Sequence, residues 1–270
     1  MKIKAGFALG YDCPQPTPML LTLRVHPSRQ PDLLTSDGLT FDPPVEARDY
    51  TDSFGNICTR IVAPAGVITI SSDFEIHDSG APDEVPVGAV QHSIMELPDE
   101  VLLFLLGSRY CDTDRLADIA GKLFNDTEPG WPRVQAILTY VHERITFDYM
   151  KADAWRTAYG GYSEQVGVCR DFAHLAITLC RCMNIPARYC TGFLGDIGVP
   201  PDGQPMDFSA WFEVYLGNRW YTVDARHNRP RVGRILMARG RDATDVALAT
   251  IFGPALIDRF EVVTDEMVPA

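Results

Sequence analysis

The first hundred residues alternate hydrophobic and polar positions in short runs that are rich in β-branched and aromatic side chains. Such runs are LLTLRVHP (20–27) and VITISSDFEIHDSG (67–80), and Pro, Gly, Asp and Ser bound them. YTDSFGNICTRIVAPAG (50–66) is typical of two strands joined by a turn at 54–56. Short strands at this spacing predict a small β-sandwich over residues 1–95, with the acidic, turn-rich segment 78–86 opening a linker.

From about Leu97 the hydrophobic period lengthens to that of amphipathic helices. DTDRLADIAGKLFND (112–126) begins with capping residues, and GWPRVQAILTYVHERI (130–145) places a proline in its first turn. A third helix is apolar almost all round, starts at Cys169 and ends near Asn184, so it is expected to be buried. We therefore predict an α+β second domain over residues 96–270.

The segment DFSAWFEVYLGNRWYTVDARHN (207–228) predicts a β-hairpin with Gly217-Asn218 as a two-residue turn of type II′. That turn sets 216 opposite 219 and 212 opposite 223, and extension of the register sets 211 opposite 224 and 209 opposite 226. One face is apolar and is expected to meet the core. The other face is polar and aromatic, and carries Ser209, Trp211, Glu213, Tyr215, Trp220, Thr222, Asp224 and Arg226.

Composition narrows the classes of function. The 270 residues carry a net charge of −12, which argues against nucleic-acid partners, and no apolar run is long enough to span a membrane. The start of the chain is not typical of a signal peptide, and the seven cysteines lack disulfide-type spacing. We expect a cytoplasmic protein with reduced cysteines and with no cofactor or metal; the oligomeric state stays open.

Cys169 is the first candidate for chemistry. Gly160, Gly161 and Gly167 precede it in a flexible segment, and a thiol in the first turn of a helix is expected to have a lowered pKa. Free N–H groups at a helix start could also stabilise an oxyanion, to which Gln165 could add its side-chain amide. The alternative is that Cys169 is a small buried hydrophobic residue, which is the interpretation we prefer for the other cysteines of this region.

GVCRDFAHLAITLCRCMNIPARYCTGF (167–193) followed by SAWFEVYLGNRWYTVDAR (209–226) resembles the core of the bacterial transglutaminase-like superfamily. The resemblance covers roughly residues 131–228 and implies a papain-like α+β fold, with an N-terminal β-sandwich like the extra domain of bacterial members. It implies that Cys169 is a nucleophile and Asp224 an orienting acid. The position of the family's catalytic histidine holds Ser209, which cannot act as an acid–base near neutral pH. His227 is the best substitute base among the six histidines, although it also fits a loop residue with local hydrogen bonds.

The resemblance implies acyl transfer through a Cys169 thioester, with a peptide or protein amide as substrate and with transfer to an amine or to water. Trp211, Gln165 and Arg226 are the predicted substrate-binding residues. The alternative is a catalytically impaired relative that binds a peptide in the same cleft, because Ser209 stands in place of histidine. The arginines between 226 and 241 are expected mainly to pair with internal carboxylates, and an anionic substrate is a further interpretation.

Overall fold

The first half of the chain folds into antiparallel sheets, and the second half packs helices on a further sheet. The computed structural model describes residues 1–200, 203 and 205–267. The strands are β1 (Lys2–Cys13), β2 (Thr17–Leu21), β3 (Thr40–Asp42), β4 (Ala47–Thr51), β5 (Ile57–Ala63), β6 (Gly66–His77), β7 (Thr146–Phe147), β8 (Val166–Gly167), β9 (Ala187–Phe193), β10 (Ser209–Leu216), β11 (Arg219–Val223), β12 (Ile235–Gly240), β13 (Ala249–Ile251) and β14 (Leu256–Glu266). The helices are α1 (Asp99–Leu102), α2 (Thr113–Phe124), α3 (Trp131–Arg144), α4 (Ala158–Glu164) and α5 (Cys169–Cys182). The predicted α+β class is confirmed.

Two four-stranded antiparallel sheets, in the orders β14-β1-β6-β3 and β13-β2-β5-β4, share one hydrophobic core. Along β6 every second side chain is buried, as expected of strands with one face against a core. Leu9, Met19, Ile61 and Phe74 are among the side chains buried there. The predicted N-terminal β-sandwich is therefore present.

Two strands of this sandwich come from the far end of the chain. β14 lies beside β1, from Ile3 opposite Glu266 to Asp12 opposite Leu256, and β13 pairs with β2. Residues 249–266 thus pair with the N-terminal sheets, although we had assigned them to the second domain. The division into residues 1–95 and 96–270 stays a prediction.

The acidic segment 78–86 lies against the chain that follows the hairpin. The Asp83 N–H donates to the Arg231 carbonyl at 2.9 Å, and the Asp83 carboxylate accepts from the Arg231 N–H at 2.9 Å. This segment is therefore held against the chain at Arg231, and its assignment as the start of a linker stays a prediction.

The core sheet has the order β11-β10-β9-β12, and α5 packs on it through side chains such as Phe172, Ala176 and Leu179. α2, α3 and α4 surround α5 on its other sides, so α5 is buried as predicted. The predicted helix starts are also confirmed, since Asp112 precedes α2 and Pro132 lies in the first turn of α3.

The hairpin β10–β11 has the predicted register, with Leu216 opposite Arg219 and Phe212 opposite Val223. Its turn differs from the predicted type II′. Gly217 has φ +52° and Asn218 has φ +67°, and positive φ at both central residues defines type I′. Asparagine tolerates the left-handed region well enough to occupy the second position.

Candidate active site

The start of α5 is built by the spacing of Gly167, Cys169 and Asp171. The Asp171 carboxylate accepts a hydrogen bond from the Val168 N–H at 2.9 Å, which caps one free donor of the helix. Arg156 donates to the same carboxylate oxygen at 3.1 Å. A Cβ on Gly167 would lie 2.5 Å from that oxygen, so only glycine fits before the capped turn. Cys169 is thereby held as the first residue of the helix.

The Cys169 side chain lines a pocket of about 570 Å³ together with Ser209, Asp207 and Tyr189. Burial raises the pKa of the thiol to about 11, and this outweighs the Arg226 charge and the Ala210 N–H, which favour the thiolate. The lowered thiol pKa that we expected from the helix start is therefore wrong. At pH 7 only about one thiol in ten thousand is ionised, so a base must take the proton when the sulfur reacts.

Ser209 is the first residue of β10 and lies at the boundary between two pockets. It lines the Cys169 pocket and also a neighbouring pocket that contains Arg226 and His227. Asp207 lines both pockets as well. The direct pairing of Ser209 with Arg226 that we predicted is absent from the described ladder, because β11 ends at Val223. The chain turns away after that residue.

Asp224 and His227 form the closest acid–base pair near the site. The chain bends directly after β11, so the Asp224 carboxylate accepts from the His227 N–H at 3.1 Å and from His227 Nδ1 at 2.8 Å. Because an ionised carboxylate only accepts, Nδ1 carries the proton in this arrangement, and Nε2 of the neutral ring remains basic. Strict strand alternation would place His227 on the opposite face, but the turn brings it back to Asp224.

A buried arginine holds the Asp224 carboxylate from the other side. Arg234 Nη2 donates to Asp224 Oδ2 at 2.9 Å, while its Nε donates to Asp83 at 2.9 Å. Burial alone would raise the pKa of Asp224, but the charge of Arg234 and the hydrogen bond from His227 outweigh it and hold that pKa well below its usual value. The acid is therefore ionised throughout the neutral range. The sequence analysis expected Arg234 to pair with an internal carboxylate, but it did not identify Asp224 and Asp83 as the partners.

The three predicted substrate-binding residues do not lie together. Arg226 lines the His227 pocket, and its guanidinium lies 3.8 Å from the centre of the Phe147 ring. Trp211 is buried and borders a separate pocket beside Arg234, which Cys169 does not line. Gln165 is exposed at the end of α4 with φ +60°, so its left-handed backbone ends that helix. The geometry brings Arg226 to the site and leaves Trp211 and Gln165 outside it.

His174, on the same helix as Cys169, does not line the Cys169 pocket, although its ring packs on Tyr110 and Tyr189, which do. It is fully buried, its Nε2 accepts from the Ala243 N–H at 3.2 Å, and burial lowers its pKa to about 3. Asp207 is a site residue that the sequence analysis did not single out. Its position two residues before Ser209, directly ahead of β10, was the available signal.

The described parts of the chain contain no cluster of three or more His, Cys, Asp and Glu side chains that could hold a metal ion. Among the described residues, every helix is too short or too polar to span a bilayer.

Comparisons with known proteins agree with this architecture. Over its full length the chain is similar to a crystal structure of a Cytophaga hutchinsonii protein proposed to be a cysteine protease, with 29% identity, 92% of that chain covered and a TM-score of 0.86. It is 25% identical over 217 residues to an uncharacterized Mycobacterium leprae protein, covering 76% of this chain and 75% of that protein. An uncharacterized Mycobacterium tuberculosis protein is 26% identical over 245 residues, with coverages of 77% and 73%.

Residues 117–225 match the family described as the transglutaminase-like superfamily. This span contains the helix that begins at Cys169, the hairpin β10–β11 and Asp224. The family match and the likeness to the Cytophaga structure rest on the same core, so residues 117–225 contain a transglutaminase-like core.

Proposed function

We propose that the protein is a cysteine-dependent enzyme that hydrolyses an amide bond or transfers its acyl group, with a peptide or protein as substrate. Cys169 is the nucleophile, His227 is the base and Asp224 orients the imidazole. The observation that carries the proposal is the 2.8 Å hydrogen bond from His227 Nδ1 to Asp224, with His227 lining a pocket that shares Ser209 and Asp207 with the Cys169 pocket. Similarity to a protein proposed to be a cysteine protease supports it.

The chemistry follows from these roles. His227 Nε2 takes the Cys169 proton as the sulfur attacks the carbonyl carbon, and the positive imidazolium is stabilised by the Asp224 carboxylate. The carbon–nitrogen bond then breaks as the leaving nitrogen receives that proton, which leaves a thioester on Cys169. Water or an amine attacks the thioester, the product leaves, and the thiol is restored. Because the resting thiol is protonated, attack and proton transfer must be closely coupled.

A second candidate function is peptide binding without turnover. The observations that favour it are the pKa of about 11 for the Cys169 thiol and the serine at the family's histidine position. In this interpretation the pocket of about 570 Å³ holds a peptide, and Cys169 is a buried residue of its wall.

The two functions predict different behaviour of three variants. Cys169→Ala should abolish amide hydrolysis or amine transfer, and His227→Gln should reduce it by about a hundred- to ten-thousand-fold, the usual contribution of a general base. His77→Gln is the matched control and should retain full activity, because His77 is exposed at the end of β6 and lines neither pocket. Activity that survives Cys169→Ala would refute the enzyme proposal. A wild-type protein that binds peptide but never turns it over, with unchanged affinity in Cys169→Ala, would favour the binding function.

A further inference from the structure

The rim of the candidate active site carries arginines in a protein of net charge −12. Arg109 and Arg170 line the Cys169 pocket, and Arg226 and Arg231 line the adjoining one. Arg231 pairs there with Asp196 at 3.8 Å, so those two charges offset each other. Asp207 is the carboxylate common to both pockets. In a protein with a net charge of −12, an average surface pocket is expected to contain more carboxylates than arginines. The excess of arginines around this site is therefore unusual for the molecule.

Most other arginines of the segment 226–241 are used internally, as the sequence analysis expected. Arg234 binds Asp83 and Asp224, Arg239 pairs with Glu213, and Arg241 pairs with Asp245. These contacts are structural, so they do not provide charge for a ligand.

Arg109 and Arg226 differ from those arginines. Within the parts of the chain that the structure describes, neither forms an ion pair with a carboxylate. Arg226 stacks 3.8 Å from the Phe147 ring centre, and Arg109 lies 5.1 Å and 5.4 Å from the rings of Tyr110 and Trp155. The N–H groups of a guanidinium match a carboxylate in a two-pronged hydrogen bond.

Arg170, by contrast, is bound to polar groups of the protein. It donates to the Asp153 carbonyl, and its guanidinium lies 3.5 Å from the buried Asp171 carboxylate. The positive charge available to a ligand therefore comes from Arg109 and Arg226.

We propose that the Cys169 site selects acyl substrates that carry a carboxylate beside the reactive amide, bound by the ring-stacked guanidiniums of Arg109 and Arg226. This substrate class rests on the proposed function. The carboxylate belongs either to an Asp or Glu side chain or to a free peptide C-terminus, because both present the same pair of oxygens.

Charge selectivity can be measured on the intact protein without a known substrate. Iodoacetate and iodoacetamide alkylate the same sulfur, but only iodoacetate carries a negative charge. The rate with iodoacetate divided by the rate with iodoacetamide therefore reports the electrostatic potential at the sulfur. This ratio is measured for Cys169 and compared with the same ratio for free cysteine. Modification at Cys169 is followed by peptide mapping, with Cys169→Ser as a blank. A variant that changes the thiol pKa slows both reagents equally, and the ratio cancels that effect.

We expect wild-type Cys169 to favour iodoacetate over iodoacetamide more strongly than free cysteine does. Arg226→Gln and Arg109→Gln should each lower the ratio about three- to tenfold, the scale of one partly screened charge. Sodium chloride at 0.5 M should lower the wild-type ratio, a test that does not depend on folding of any variant. Arg60→Gln is the matched control, since Arg60 is exposed and stacks on Tyr50 at 5.5 Å, and it should leave the ratio unchanged.

A wild-type ratio equal to that of free cysteine, or a ratio that neither variant nor salt changes, overturns the carboxylate proposal. Peptides that differ only in Glu against Gln beside the amide, or in a free against an amidated C-terminus, then identify the source of the carboxylate. Turnover without any carboxylate preference would refute the substrate class and leave the proposed function standing. Selective alkylation without turnover of any peptide would refute the proposed function, and the substrate class with it, and would leave only a carboxylate-binding site at Cys169.

Discussion

The link from Asp83 through Arg234 to Asp224 makes a quantitative prediction for Arg234→Met. Methionine is also long and unbranched, but it removes the charge that two carboxylates share at 2.9 Å each. The Arg234 side chain is 7% exposed and that of Asp224 3%, so solvent cannot replace the lost partner. Removing one member of a buried ion pair costs about 3–5 kcal/mol of unfolding free energy. We expect a loss in that range at pH 7.

The pH dependence of this loss distinguishes the charge from simple packing. In the wild type the pKa of Asp224 is lowered on folding, so its stabilisation is present above the unfolded pKa of about 3.9 and is lost as the pH falls through the folded value. Without Arg234, burial should raise the pKa of Asp224 in the folded variant. The variant then regains stability as the pH falls through that raised pKa. In the wild type, ionised Asp224 still makes its full contribution to the free energy of unfolding at that pH. The difference in unfolding free energy should therefore shrink between pH 7 and about pH 4.5.

Urea unfolding followed by circular dichroism at both pH values provides the measurement. Arg259→Met serves as the control, because Arg259 and its partner Glu261 are 48% and 59% exposed, and it should stay close to wild type at either pH. A loss below about 1 kcal/mol for Arg234→Met, or an equal loss at pH 7 and pH 4.5, would refute this reasoning.

Three further predictions concern the site directly. Alkylation of Cys169 by iodoacetamide should accelerate about tenfold per pH unit from pH 7 to 10, because its thiol pKa is about 11; a plateau near pH 7 would contradict this. Ser209→His should raise the alkylation rate at pH 7 by placing an imidazole at the pocket boundary, and an unchanged rate would indicate that the added ring does not reach the sulfur. Gly167→Ala should lower the melting temperature, since its Cβ would lie 2.5 Å from the Asp171 carboxylate. Gly55→Ser is the comparison variant: the new Cβ would meet no other atom within 4 Å, but the backbone has φ +84°, so any loss of stability reports backbone strain alone.

The sequence was sufficient to predict the parts of the site that depend on local periodicity. The start of α5 at Cys169 and the register of β10 with β11 followed from apolar spacing and from a two-residue turn. The turn type was wrong because Gly-Asn fits both type I′ and type II′, and only the backbone angles separate them.

Features that depend on long-range packing could not be predicted. The return of His227 to Asp224 requires β11 to end at Val223, and one strand step decides which face a side chain occupies. The pKa of Cys169 depends on burial by distant segments, which periodicity does not reveal. Arg234 and Asp83 are 151 positions apart in the chain, and their contact left no local signal.

The pairing of β1 with β14 has a consequence for the order of folding during synthesis. The Lys2 carbonyl accepts a backbone hydrogen bond from the Met267 N–H, so β1 gains one of its two neighbours only after β14, far later in the sequence, has been made. Until then the β14 side of β1 is an open edge of unpaired amides, the kind of surface that invites association with other chains. Contacts this distant in sequence also slow folding, because a long loop must close first. The N-terminal sandwich is therefore the part of the protein that we expect to be completed last.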